Sequence, residues 1–213
     1  LSYGFPLPEL AHHHSVIALD WPGYGLSEHP ETELSIPDLV SLLAQFLDAL
    51  GLETVHLAGF SMGGAVALGL ALGAPERIRT LTLTGSYGLD SRAPLPLLPY
   101  LAMRAPRFTT AVSWSMRRSR RLVRLVLTRI VFSDPTLVTA ELVEEAYVQL
   151  QGPAAERSFV AWLRSEIRPA GLSTSYEHQL QDLAVPTLLL HGRDDRVLSW
   201  RKAVRAADQV AGS

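Results

Sequence analysis

One serine constrains this chain more than any other residue. It lies in Gly59-Phe-Ser-Met-Gly-Gly64, between two segments of different character. Before it, Thr54-Val-His-Leu-Ala-Gly-Phe60 is short and apolar, as a buried strand is. After it, Met62 to Leu72 is rich in Ala, Gly and Leu, as a buried helix is, and Pro75 stops it. A chain that passes from strand to helix at one residue must bend sharply there. Such a bend lifts the Ser61 hydroxyl clear of the sheet and sets it at a helix N-terminus. The free N–H groups and positive dipole end at that position favour developing negative charge. The Met62 N–H is the expected oxyanion donor. Gly59 and Gly63 are expected to lack side chains because strand and helix crowd together there.

The alternation continues on both sides. Ser15-Val-Ile-Ala-Leu-Asp20 reads as a buried strand that ends at Trp21-Pro-Gly-Tyr-Gly25. Ser35-Ile-Pro-Asp38 has a helix-start pattern, with Ser as cap and Asp in the first turn. Leu39, Leu43, Phe46, Leu47 and Leu50 follow at helical spacing, and Gly51 closes the segment. Arg79 to Gly85 and Pro186 to Gly192 read as further strands. Strands alternating with helices predict an α/β fold whose mostly parallel sheet carries helices on both faces.

From about residue 90 the rhythm changes. Pro94, Pro96 and Pro99 precede three helical stretches, Met116 to Phe132, Thr139 to Leu150 and Ala154 to Ile167. The expected division is therefore a core segment over 1–89, a helical insertion over 90–175, and a second core segment over 176–213.

Composition narrows the chemistry. The chain has 213 residues and no cysteine, which excludes disulfides, thiolate nucleophiles and Cys-based metal sites. A net charge of −2 provides no overall attraction to nucleic acid or to a membrane, and neither is an expected partner. No apolar run is long enough to span a bilayer and no leader pattern is present, so a cytoplasmic setting is the expectation. The chain opens Leu-Ser-Tyr-Gly-Phe, without Met, and reads as a fragment truncated at both ends.

Three motifs in order then carry a resemblance. Asp20-Trp-Pro-Gly-Tyr-Gly-Leu-Ser27, Gly59 to Gly64, and His191-Gly-Arg-Asp-Asp-Arg-Val-Leu198 resemble the D-x-P-G-x-G-x-S, G-x-S-x-G and G-x-x-D-x-x-V-P segments of the α/β-hydrolase superfamily. Val131-Phe-Ser-Asp-Pro-Thr-Leu-Val-Thr-Ala-Glu-Leu-Val143 is similar to cap sequences of the branch that includes meta-cleavage-product hydrolases and epoxide-hydrolase-like proteins. The resemblance implies an α/β-hydrolase fold with a helical cap and Ser61 as nucleophile. No cofactor or metal is implied, and a small molecule is the implied substrate. Serine at the elbow, in place of aspartate, argues against dehalogenase or epoxide-hydrolase chemistry.

A serine needs a base, and the base needs an orienting carboxylate. In this family they follow in the order Ser, acid, His. The G-x-x-D count from Gly192 selects Asp195, with Asp194 as the alternative acid. No histidine follows Asp195 within the sequence. The family's position for it is expected beyond Ser213, and the second oxyanion N–H before Leu1. His178 is the rival within the chain, although it precedes the acid. His56 and His191 read as core or strand-end residues, and His12 to His14 as the end of a surface helix.

The insertion carries twelve arginines against six carboxylates between Arg92 and Arg168. Arg117 to Arg129 forms a basic amphipathic helix. Its expected placement has the apolar face over the active site and the arginines in solvent. A sharper reading has one arginine hold a substrate carboxylate or phosphate. Trp114, Phe159 and Trp162 are candidates for either the pocket wall or the packing of the insertion.

The expected function is a serine hydrolase acting on ester or related carbonyl bonds through an acyl-enzyme, with this fragment weakly active or inactive for lack of the histidine. C–C bond hydrolysis, acyl transfer and perhydrolysis share the same elbow. A non-catalytic small-molecule receptor and an interaction module built on the basic cap are the readings from other classes.

Overall fold

A computed structural model describes residues 6–91, 105–151, 155–168, 171–195 and 197–210. Helix α1 spans Pro6–Ala11, and His12 to His14 turn out of it. Helix α2 spans Ile36–Ala49 and begins as its sequence predicts. The Ser35 side chain accepts from the Asp38 N–H, while the Asp38 carboxylate accepts from the Ser35 N–H at 2.9 Å. Ile36, Leu39, Leu43 and Leu47 form its buried face, whereas Leu50 is exposed.

Strand β1 (Val55–Phe60) leads into helix α3 (Met62–Gly73), and strand β2 (Ile78–Thr84) follows. Strand β5 (Thr187–Leu190) completes a parallel sheet in the order β1-β2-β5. Helix α3 has no polar face because it is packed from several sides. Gly64 to Leu68, Leu70 and Ala71 are all buried. Leu68, Leu81 and Leu83 are almost wholly removed from solvent, each contributing roughly 2 kcal/mol of burial free energy. Leu180 and Leu183 join this core, as do Ala203 and Ala206 of helix α8 (Trp200–Ala207).

Residues 15–20 depart from expectation. They form no strand, and Val16 and Ile17 are exposed. A β-branched run becomes a strand only where a ladder partner and a buried face await it. This run has no ladder partner among the described residues; His14 packs its ring 6.0 Å from that of His56. His56 is itself exposed, contrary to its reading as a core residue, and its Nδ1 lies 2.8 Å from Thr80 Oγ1.

The 90–175 stretch is mainly helical where described. It contains α4 (Pro106–Met116), α5 (Arg120–Val126), a π-helical turn over Leu127–Val131, α6 (Ala140–Gln151) and α7 (Ala155–Glu166). The predicted Met116-to-Phe132 helix is interrupted because Ser119 starts a new one, its hydroxyl accepting from the Leu122 N–H. The apolar side of α5 lies on α6, not over the site. Val123, Val138 and Val143 form a small separate core, and Arg120 pairs with Glu144. An unexpected antiparallel pair, β3 (Ile167–Arg168) with β4 (Gly171–Leu172), returns the chain to the main core. Pro94, Pro96, Pro99 and the Phe159 side chain lie outside the described residues.

Candidate active site

The bend at Ser61 is severe. With φ 51° and ψ −118°, Ser61 is the one non-glycine residue at positive φ among those described. That region disfavours side chains, so surrounding bonds must hold the residue there. The Ser61 N–H donates to the Thr84 carbonyl at 3.1 Å. The Ser61 carbonyl accepts from Tyr87 and Gly64, each at 3.0 Å, and from Ala65 at 3.4 Å. The hydroxyl makes no capping bond to α3. The amides of Met62 and Gly63 precede the first intrahelical donors, which leaves them directed at whatever binds beside the serine.

The glycines divide differently from the expectation. A Cβ on Gly59 would sit 2.4 Å from the Gly63 carbonyl oxygen, and one on Gly64 would sit 2.3 Å from Ser86 Oγ. A Cβ on Gly63 would meet only Trp21 Nε1, at 3.7 Å. Crowding therefore fixes Gly59 and Gly64, not Gly63.

Trp21 belongs to a loop that is bonded to itself. Asp20 Oδ2 accepts from the Leu26 N–H, and the Ser27 hydroxyl donates to the Asp20 carbonyl at 2.7 Å. Gly25, at φ +53°, leaves room for that carboxylate, since a Cβ would overlap it. The D-x-P-G-x-G-x-S spacing is thus a folding instruction for the loop that shields the elbow.

Asp195 and Asp194 separate clearly. Asp195 Oδ1 accepts from the N–H groups of Val197 and Leu198 at 2.8 and 2.9 Å. Its Oδ2 lies 3.7 Å from where a Gly85 Cβ would stand, at the end of β2. Ser61 and Asp195 thus emerge at the same, C-terminal edge of the sheet, on strands that flank β2. Asp194 is exposed. His178 is also exposed, in the 3₁₀ turn over Glu177–Asp182. Among the described residues His191 is the histidine that touches Asp195, with Nε2 3.1 Å from Asp195 Oδ2 and 2.8 Å from the Leu198 carbonyl. Its side chain is 6 % exposed and its Nδ1 is buried without a partner among the described residues.

Beside Met62 a cavity of about 390 Å³ opens between core and insertion. Trp21, Tyr24, Thr109, Trp162 and Arg164 line it. Arg164 donates to Thr109 Oγ1 at 3.0 Å and is the arginine of the insertion that reaches this wall among the described residues. Trp162 is therefore both wall and core. The Tyr24 hydroxyl is buried with no described partner, and burial pushes its pKa up to about 12.

Sequence reasoning missed Tyr87 and Glu166. Tyr87 donates from its hydroxyl to Glu166 Oε2 at 2.9 Å, and both residues are buried. Burial, and then the neighbouring carboxylate, push the Tyr87 phenol well above its ordinary range, so it stays protonated and donating. Nothing local marks this pair, whose members stand 79 residues apart.

The family model for the α/β-hydrolase fold matches residues 3–211. The chain belongs to the α/β-hydrolase family. It is 32% identical over 201 residues to the 2-hydroxy-6-oxo-2,4-heptadienoate hydrolase of Pseudomonas putida, which covers 93% of this chain and 68% of that protein. It is 34% identical over 208 residues to the 2-hydroxymuconate semialdehyde hydrolase of Pseudomonas sp. strain CF600, covering 96% and 68%. Among solved structures, a meta-cleavage product hydrolase from Pseudomonas fluorescens IP01 superposes with a TM-score of 0.78 at 26% identity, covering 98% of this chain and 72% of that one. This α/β-hydrolase chain spans about two thirds of the length of the curated relatives it matches.

Proposed function

We propose that the protein hydrolyses a carbon–carbon bond in a small diketone-like carboxylate, with Ser61 as nucleophile and Asp195 as the acid that orients the base. The strained Ser61 at the strand–helix junction carries this reading. The names of the relatives favour C–C cleavage over a simple ester as the reaction.

In the proposed mechanism Ser61 Oγ loses its proton to the base and bonds to the substrate carbonyl carbon. The carbonyl electrons move onto oxygen, where the Met62 N–H and a second donor receive the charge. The carbonyl re-forms as the C–C bond breaks. The electrons of that bond pass into the conjugated carbonyl of the leaving fragment, which takes the proton from the base. Water then repeats the addition and releases the acid from the serine. His191 is a poor candidate for the base, because its Nε2 is committed to the Leu198 carbonyl and its ring is enclosed. It supports the Asp195 loop, and a further imidazole carries the proton, in the family's chain order. Arg164 is the cation placed to meet a carboxylate end of the substrate in the cavity.

The test compares the complete protein with its S61A variant on a 2-hydroxy-6-oxo-dienoate and on a p-nitrophenyl ester. Loss of the dienoate chromophore should exceed that of the variant by about a hundredfold or more. Turnover of the ester alone would make the protein an esterase. A folded protein that turns over neither would be the small-molecule receptor.

A further inference from the structure

The buried carboxylate of Glu166 takes no part in the chemistry above, yet it sits at a junction. It ends α7, one turn after Trp162 on the cavity wall. It accepts from the Tyr87 hydroxyl at 2.9 Å, from the Thr174 N–H at 3.0 Å and from the Thr174 hydroxyl at 3.1 Å. Its side chain thus joins the chain after β2 to the chain after β4. A buried carboxyl group with three donors is a fixed point, because losing any one of them leaves a buried polar atom without its partner.

Tyr87 extends that fixed point to the nucleophile. Its ring meets Trp162 edge-on, with centroids 5.4 Å apart. Its own N–H donates to the Ser61 carbonyl. Ser86, next to it, fills the space against Gly64 and donates to the Tyr87 carbonyl at 2.8 Å. The strained residue is therefore held from the insertion side by Glu166, through Tyr87.

We propose that Glu166 and Tyr87 are positioning residues that brace the Ser61 backbone, coupling the cavity wall at Trp162 to the geometry of the nucleophile. The catalytic consequence rests on the assignment of Ser61 as nucleophile; the brace itself does not. The Tyr87 N–H is one of the bonds that hold Ser61 at positive φ, beside those of Thr84 and Gly64. A released elbow lets the hydroxyl and the Met62 N–H drift from the positions the reaction needs.

The experiment uses Y87F, E166A and E166Q in the complete protein. Y87F keeps the ring against Trp162 and removes one oxygen, so it remains informative if E166A fails to fold. Two readouts are taken on folded protein: hydrogen exchange of the Tyr87 amide, and the inactivation rate at Ser61 by a fluorophosphonate. In Y87F and E166A, Tyr87 exchange should rise about tenfold and labelling should slow about tenfold. E166Q, whose amide oxygen still accepts from Tyr87, should stay within about threefold of the parent. Adding Y87F to E166A should change neither readout further, as expected for two members of one contact. Variants that melt earlier but keep parental exchange and labelling rates would overturn the brace and leave a merely structural contact. If the parent itself does not label, the nucleophile assignment fails, and the exchange data still decide the brace.

Discussion

At the scale of single residues, the site is defined by which atoms have room. Ser61 adopts a conformation that costs about 1–3 kcal/mol, held by bonds to Thr84, Tyr87 and Gly64. Gly59 and Gly64 permit it by leaving space, and Gly63 does not contribute in that way. Gly59→Ala should therefore destabilise the fold by about 3 kcal/mol, because its methyl meets backbone that cannot move aside. Gly63→Ala should be nearly neutral. Urea denaturation of the two variants checks the contrast, and equal losses would contradict it. The turns that carry Ser61 and Asp195 were legible in the sequence, because each belongs to a motif whose spacing encodes a turn. Tyr87 and Glu166 were not, because a hydroxyl–carboxylate contact between distant segments leaves no local pattern. Glu166 reads as an ordinary acid at the end of a helix and is 2 % exposed.

At the scale of elements, local signals succeeded where the element satisfies itself. Helix α2 starts at Ser35 because two reciprocal bonds close its first turn. Ser35→Ala should cost about 1 kcal/mol, seen as an earlier thermal transition, with Ser61 reactivity unchanged. A transition at the parental temperature would show that the tertiary packing of Ile36 and Leu39 alone sets the helix start. Residues 15–20 show the opposite case. Their β-branched composition predicts a strand, but strand formation depends on neighbours that a local window does not contain. The insertion helix α5 was likewise legible as a basic amphipathic helix. The surface that receives its apolar side, α6, was not, since periodicity gives a face but not a partner.

At the scale of the whole molecule, the two faces of the sheet differ in burial among the described residues. Leu81, Leu83 and Leu57 lie toward α2 and α3, whereas Phe60, Leu188 and Leu190 are exposed on the opposite side among the described residues. No helix of the described residues is long and apolar enough to cross a membrane. The buried phenols set an alkaline limit on this fold. The Tyr24 pKa is raised from 10.0 to about 12 by burial, so the folded state holds its proton more tightly than the unfolded chain. That stability is fully present below pH 10 and is lost as pH rises through about 12. Denaturant midpoints should fall across this window, and less steeply in Y24F. Equal slopes in the two proteins would show that Tyr24 ionises freely in the fold.

The central claim is that backbone geometry makes Ser61 the reactive hydroxyl. Treatment of the complete protein with a fluorophosphonate, followed by peptide mass spectrometry, tests it most directly. The account predicts one adduct, on Ser61, that is abolished in S61A and unaffected by changes at Asp194. An adduct on another serine, or a folded protein that takes up no label, would contradict it.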